Sequence, residues 1–393
     1  MHRRELLGGL AALMGCSVVS IGPSSARASS SAKRLILIVL RGGMDGLAAV
    51  APIGDPAYVS ARQGMALDPS RLLSLSGPFA LHPAFQSIHS WYKDGDLSFV
   101  HAAGLAYQKR SHFDAQDVLE NGSSRPGQSR TGWLNRALRD RPNAQGLAVG
   151  HRVPLVLRGA ESVSTVDLLR TKDTRLGLLD FVEELWEHDP HLSTALHQGL
   201  LGRERVRSAQ GEADIGRTTK KNKVKQSLGI LGMMLSEQEA PEVTVLEFGG
   251  WDTHANQGGV SGSLAAKFKQ LSDGLAALKV GLGESWKETV VVTCSEFGRT
   301  VSSNGTKGTD HGSGGLVMLA GGAVQGGCVH GDWPGLNRSA LYQGRDLRTT
   351  TDIRSVFKSV LYEHLEVPSK ALNSHVFPES RAIPMLEGLF ERG

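Results

Sequence analysis

Leu35-Ile36-Leu37-Ile38-Val39-Leu40-Arg41-Gly42-Gly43-Met44-Asp45-Gly46 is the stretch on which the fold turns. Six apolar residues in a row, closed by glycines, read as a strand buried on both faces. Such a strand belongs in a parallel sheet covered by helices. Working outward, further strand candidates are Leu97–His101, Pro154–Leu157, Val243–Phe248, Thr289–Cys294 and Leu316–Leu319. Leu264, Phe268, Leu271, Leu275 and Leu278 keep to one helical stripe, and 178–199 reads as a helix broken at Pro190. Strands alternating with helices give an α/β fold with a mostly parallel sheet and helices on both faces. The span 200–235 is polar and lysine-rich and reads as a helical surface insertion. Its basic run, Lys220-Lys221-Asn222-Lys223-Val224-Lys225, reads as a solvated linker or a helix start.

The 393 residues suit one large α/β domain over 29–393, with 40% hydrophobic residues and 48 glycines for tight loops at strand ends. Ahead of it, Arg3-Arg4-Glu5-Leu6-Leu7 opens a weakly apolar run to Ile21, followed by Ser25-Ala26-Arg27-Ala28. A positive start, an apolar stretch and a small-x-small site make a secretory signal, and the paired arginines match a twin-arginine leader over 1–28. An ordinary secretory signal and lipoprotein processing at Cys16 are the alternatives. The expectation is a periplasmic or secreted protein that engages the twin-arginine export machinery and keeps no transmembrane anchor. Loss of the leader removes three arginines and one glutamate and lowers the net charge from +4 to +2, which excludes a nucleic-acid footprint. Cys294 and Cys328 flank apolar runs and read as buried free thiols. Neither lies in a C-x-x-C motif, which argues against redox chemistry.

Ligands of open α/β sheets bind beyond the carboxyl ends of the strands. The loops there carry Asp45, Arg110-Ser111-His112, Asp252-Thr253-His254, Glu296-Phe297-Gly298-Arg299 and Asp310-His311-Gly312. Carboxylates and imidazoles beside glycines are what a divalent metal site needs, so Asp45, Asp252, His254, Glu296, Asp310 and His311 are candidate ligands. Zinc or manganese suits that set best, calcium less well, with one or two ions. Plainer roles stand beside these. Asp45 and Ser111 each occupy a helix-cap position, and Ser111 with Asp114 spells a capping box. Glu296 and Arg299 have the spacing of a local ion pair.

Arg41-Gly42-Gly43-Met44-Asp45-Gly46, Arg110-Ser111-His112-Phe113-Asp114, Gly132-Trp133-Leu134-Asn135-Arg136, Gly250-Trp251-Asp252-Thr253-His254 and Ser295–Thr300 through Gly308–Gly312 together resemble the bacterial family called domain of unknown function 1501. That family looks like a distant branch of the alkaline phosphatase-like superfamily, which includes sulfatases. The resemblance implies an alkaline phosphatase-like fold with Asp45 after the first strand and Ser111 as a nucleophile opening a helix. It implies metal ligands at Asp252 and His254, which match loosely, and at His311. The sequence departs from the superfamily where an Asp-His pair is expected and Glu296-Phe297 stands, so one imidazole is missing. The middle pair is spaced D-x-H, and no C-x-P-S-R sequence marks a formylglycine sulfatase.

Two functions follow. One is an exported metal-dependent hydrolase or transferase of phosphate or sulfate esters, with an anionic ester or glycan-linked substrate. In it Ser111 is the nucleophile, His112 the proton donor, and Arg110 or Arg299 the grip on anionic oxygens. The other is a non-catalytic glycan- or protein-binding member of the same fold.

Overall fold

The computed structural model describes residues 33–390 apart from 143, 169–198, 201, 203, 210–222 and 238, together with the backbone of 18 and 19. The leader, Cys16, nearly all of the helix expected over 178–199 and Lys220–Asn222 lie outside the described residues.

Seven strands build the main sheet: β1 (Arg34–Leu40), β2 (Leu97–Gly104), β3 (Gly146–Val149), β4 (Val163–Val166), β5 (Val243–Phe248), β6 (Thr289–Cys294) and β7 (Gly315–Ala320). Their order is β4-β3-β5-β1-β6-β7-β2. Two-residue strands extend it, Val18–Val19 on β4 and both Val329–His330 and Thr351–Asp352 on β2. β4, β3, β5, β1 and β6 pair in parallel, while β7 runs antiparallel to both β6 and β2. The fold is therefore α/β with a mostly parallel sheet.

β1 lies at the middle, with Leu37 opposite Val245 on one side and Val292 on the other. Every residue of β1 is buried. Its alternation sends Leu35, Leu37 and Val39 to one face and Ile36, Ile38 and Leu40 to the other. The first face is covered by α1 (His112–Asn121), α2 (Trp133–Leu138) and α5 (Ile353–Ser359), where Trp133 stacks on Phe357 at 4.6 Å between ring centroids. The second is covered by α3 (Lys223–Ser236) and α4 (Ser263–Leu282). Leu264, Phe268, Leu271, Leu275 and Leu278 are all buried against it, and emptying a site such as Phe268 costs about 3–5 kcal/mol. The two helices cross closely because Gly232 and Gly281 meet: a Cβ on Gly281 would lie 2.5 Å from the Gly229 carbonyl oxygen.

Three expectations need correction. The span expected as a surface insertion reaches the core where it is described: Val206 and Ala209 are buried, and α3 buries Leu228, Ile230, Leu231 and Leu235. Pro154–Leu157 is no strand; Leu155–Leu157 form a 3-10 turn. Its backbone is taken up by side chains of neighbouring helices: Val156 N donates to Glu120 Oε2 at 3.0 Å and the Leu157 carbonyl accepts from Asn135 Nδ2 at 3.0 Å. A ladder has nothing left to bond there. Third, Cys294 is buried as expected, its thiol pushed up to about 12 by burial, but Cys328 is exposed.

Candidate metal centre

The carboxyl ends of β1, β5 and β6 converge on one spot. The loop after β5 is pinned by Trp251, which is 2% exposed and packs on Phe268. The loop after β1 presses against it at Gly42, whose φ is +121° and where a Cβ would lie 2.5 Å from Asp252 N. Only glycine meets both demands. Asp252 is thus held at the mouth, with its side chain 40% exposed.

Three imidazoles surround it. His112 is the first residue of α1, behind the Ser111 cap. Its Nδ1 lies 2.7 Å from Glu296 Oε1, and its Nε2 lies 3.4 Å from Asp252 Oδ2. Glu296 Oε1 already accepts from Gly42 N at 2.9 Å and Gln116 Nε2 at 3.0 Å, so His112 Nδ1 is a donor. His311 Nδ1 donates to the Arg110 carbonyl at 3.0 Å. His254 Nδ1 donates to Asp310 Oδ1 at 3.0 Å, and the same oxygen accepts from Asn304 Nδ2 at 2.9 Å. Asn304 and then His254 hold the Asp310 carboxyl below the usual carboxylate range.

With each Nδ1 committed as a donor, each neutral ring carries its lone pair on Nε2. His254 Nε2 and His311 Nε2 face each other at 3.0 Å, and both lie near Asp252 Oδ1, at 2.9 and 3.2 Å. Two lone pairs at that distance repel unless a proton or a cation lies between them. Nitrogen ligands on a tetrahedral zinc stand about 3.4 Å apart, so the spacing suits a divalent ion. His112, Asp252 and His311 each offer a ligand atom within 4.8 Å of the others. Burial pushes the His311 ring down in pKa, while the Arg110 carbonyl pulls it back up. Burial works against ionisation of Asp252 too, yet the Arg299 hydrogen bond and charge hold it below the usual carboxylate range.

The other expected site residues lie elsewhere or act differently. Asp45 is 1% exposed; it caps the turn Gly46–Ala49 and pairs with Arg62 Nη2 at 2.8 Å and Gln257 Nε2 at 2.7 Å. Its oxygens are filled by protein donors, so it is a structural anion and not a ligand. Glu296, fully buried, and Asp310 orient imidazoles from behind rather than facing the centre. His112, expected as a proton donor, points Nε2 at the centre as a ligand would. Arg299 is 1% exposed and bonds Asp252 Oδ1 at 2.6 Å, the Gly42 carbonyl, Thr309 Oγ1 and the Thr309 carbonyl. It positions Asp252 and cannot reach a substrate. Ser111 accepts from Asp114 N at 3.5 Å as the α1 cap. Arg110 stands beside the centre with φ +62°, its Nε 2.8 Å from Asp346 Oδ2. Phe297 lies 4.8 Å from both the His112 and His311 rings, in the place where the resemblance calls for an imidazole. Arg62, Gln257 and Asn304 were not read from the sequence, since each acts through a partner distant along the chain or by closing a loop.

Three solved structures are similar to the chain in overall arrangement. A phosphonate monoester hydrolase of Agrobacterium radiobacter is 10% identical, with a TM-score of 0.36 over 86% of this chain and 74% of that one. The alkaline phosphatase of the Antarctic bacterium TAB5 is 11% identical, with a TM-score of 0.32 over 74% and 90%. Ps i-CgsB in complex with k-i-k-neocarrahexaose is 12% identical, with a TM-score of 0.35 over 74% of this chain and 66% of that one. The chain thus spans just under two thirds of that last protein. Likenesses this low assign no residue a role. No curated protein matches the sequence. The profile of the family described as "Protein of unknown function (DUF1501)" matches residues 110–375, a stretch that holds all three imidazoles and Asp252, and the chain belongs to that family.

Proposed function

We propose that the protein is an exported metal-dependent hydrolase or transferase acting on phosphate or sulfate esters. A single divalent ion, zinc or manganese by the donor set, would be held by His112, Asp252, His254 and His311. The observation that carries this is the convergence of three Nε2 lone pairs on one half-exposed carboxylate, each ring fixed from behind by Glu296, Asp310 or the Arg110 carbonyl. One ion fits better than two, because Asp45 and Glu296 are buried and already accept protein hydrogen bonds, and Asp310 Oδ1 is taken by His254 and Asn304. A divalent ion in this place polarises an ester oxygen and makes a neighbouring hydroxyl or water more acidic. The chain supplies the rest. Ser111, one residue from His112 at the start of a ten-residue helix, places its hydroxyl where the first-turn N–H groups favour negative charge. Arg110, one residue earlier, adds positive charge for anionic oxygens. Arg3-Arg4 and the apolar run behind them support export by the twin-arginine route.

A second reading, a non-catalytic binding protein with a structural metal, is favoured by Phe297, which fills the position of a catalytic-type imidazole with an apolar ring. One experiment separates the two. Zinc uptake by the purified chain should approach one ion, and His311→Ala should weaken it about 100-fold. Turnover of a panel of phosphate and sulfate esters should vanish in Ser111→Ala while zinc uptake persists. Zinc bound with no turnover selects the binding role. No zinc taken up on titration sinks both.

A further inference from the structure

Asp346 is fully buried beside the centre, and two arginines share it. Its Oδ2 accepts from Arg110 Nε at 2.8 Å and Ser313 Oγ at 3.0 Å, and its Oδ1 accepts from Arg345 Nε at 2.8 Å. Two guanidiniums on one carboxylate leave a positive charge over. Each guanidinium is anchored a second time through Nη2, Arg110 on Gln343 Oε1 at 2.7 Å and Arg345 on the His311 carbonyl. Among the described residues neither Nη1 has a hydrogen-bond partner. The side chains are 21% and 41% exposed, so the surplus charge reaches solvent from a rigid mount.

The backbone around them is strained. Arg110 has φ +62° and Gln343 φ +54°, a region that side-chain-bearing residues seldom occupy. Glycine would relieve either position. Instead the two strained residues hydrogen-bond each other, and the Arg110 guanidinium lies 5.8 Å over the Tyr342 ring. Strain kept in this way clusters where a side chain must be held for a ligand. The pair also brackets one imidazole of the centre, since the Arg110 carbonyl takes His311 Nδ1 and Arg345 takes the His311 carbonyl.

We infer that Arg110 and Arg345 form an anion subsite for a sulfate or phosphate group beside the centre, and that the preferred substrate is an ester bearing a second anionic group next to the reacting one. The reacting group, over Ser111, would have its charge met by the ion. Arg345, anchored on the His311 backbone carbonyl rather than its ring, extends the positive charge of Arg110 past the reacting group to a second anion. Planar forks with free N–H groups suit oxyanions of this shape. The substrate class rests on the ester reading above; the subsite itself does not.

The test is sulfate titration of the full, metal-free chain by calorimetry at constant ionic strength. Saturable binding in the millimolar range is expected, with Arg345→Gln weaker by about tenfold, equivalent to about 1.4 kcal/mol. Arg345→Lys, which keeps the charge and loses the fork, should fall between them and reads the same difference if Arg345→Gln does not fold. Sulfate binding equal in wild type and both variants, or absent up to about 50 mM, overturns the subsite. Zinc uptake should persist in Arg345→Gln, so a failure of zinc uptake by the wild type removes the ester reading and leaves this result standing. For the substrate class, kcat/KM on a disulfated disaccharide should exceed that on its monosulfated counterpart, through KM, and the preference should vanish in Arg345→Gln. Equal values in the wild type sink the substrate class.

Discussion

Asp45 and Asp252 follow neighbouring parallel strands and each is bonded by a buried arginine, yet one strand end is closed and the other open. Asp45 receives Arg62, Gln257 and the Ala48 N–H, and nothing is left of it for a ligand. Asp252 receives Arg299 on one oxygen and shares its remaining surface with three imidazoles. A chain of contacts joins them: Gln257 Oε1 accepts from Thr309 Oγ1, and Thr309 Oγ1 accepts from Arg299 Nε. The contrast teaches that a carboxylate at a strand end stays open or becomes a strut according to how many protein donors reach it first.

The closed end is the easier to break. Asp45→Ala leaves Arg62 charged and 1% exposed with no carboxylate partner, only the Thr300 and Val301 carbonyls, and should lower stability by about 3–5 kcal/mol in urea denaturation. A loss under about 1 kcal/mol would mean that water or another group reaches Arg62, and the contrast would fail. A second effect concerns His101, buried near Asp45 with Nε2 2.9 Å from the Val50 carbonyl. Burial pushes its pKa down to about 4, against the Val50 hydrogen bond and Asp45, which pull upward. Because the folded value lies below the ordinary 6.5, the unfolded chain takes the proton first as pH falls. This group's contribution is complete above about pH 6.5 and is lost on the way down to about pH 4, by on the order of 3 kcal/mol. His364, also pushed down to about 4 by burial, adds a slope of the same sign. Urea midpoints of metal-free protein at pH 7 and 4.5 read it, and equal midpoints would show that His101 protonates in the fold.

The smallest effect sharpens the open end. Glu296→Gln removes the charge behind His112 Nδ1 and should weaken zinc binding about tenfold in a competition with a chromophoric chelator. Unchanged affinity would remove His112 from the ligand set.

The strands that carry the site were legible because burial on both faces writes a continuous apolar run: Val243–Phe248 and Thr289–Cys294 occupy the residues expected of them. β3 and β4 were not, since Gly146-Leu147-Ala148-Val149 and Val163-Ser164-Thr165-Val166 are short and half small or polar. Pro154–Leu157 misled because its apolar side chains are buried without a ladder. At the site, Asp252, His254 and His311 stood out as chemistry-bearing residues in glycine loops. Which residues face the centre and which stand behind it was hidden, because that depends on pairings such as Glu296 with His112, 184 residues apart, and Asp45 with Gln257, 212 apart. Arg299 looked like a substrate clamp only because nothing in its neighbourhood along the chain announces that it is sealed in.

The central place of β1 sets a timetable for synthesis. The strand is complete at residue 40, yet its two partners are not finished until residues 248 and 294. At ribosomal speeds the gap lasts on the order of tens of seconds, during which the most apolar segment of the sheet has both edges bare. Loop closure over such separations makes folding slow whatever the final stability. The nascent chain therefore offers a long-lived sticky edge to chaperones, and the cluster of imidazoles around Asp252, which needs residue 311, can assemble only after that edge has been covered on both sides.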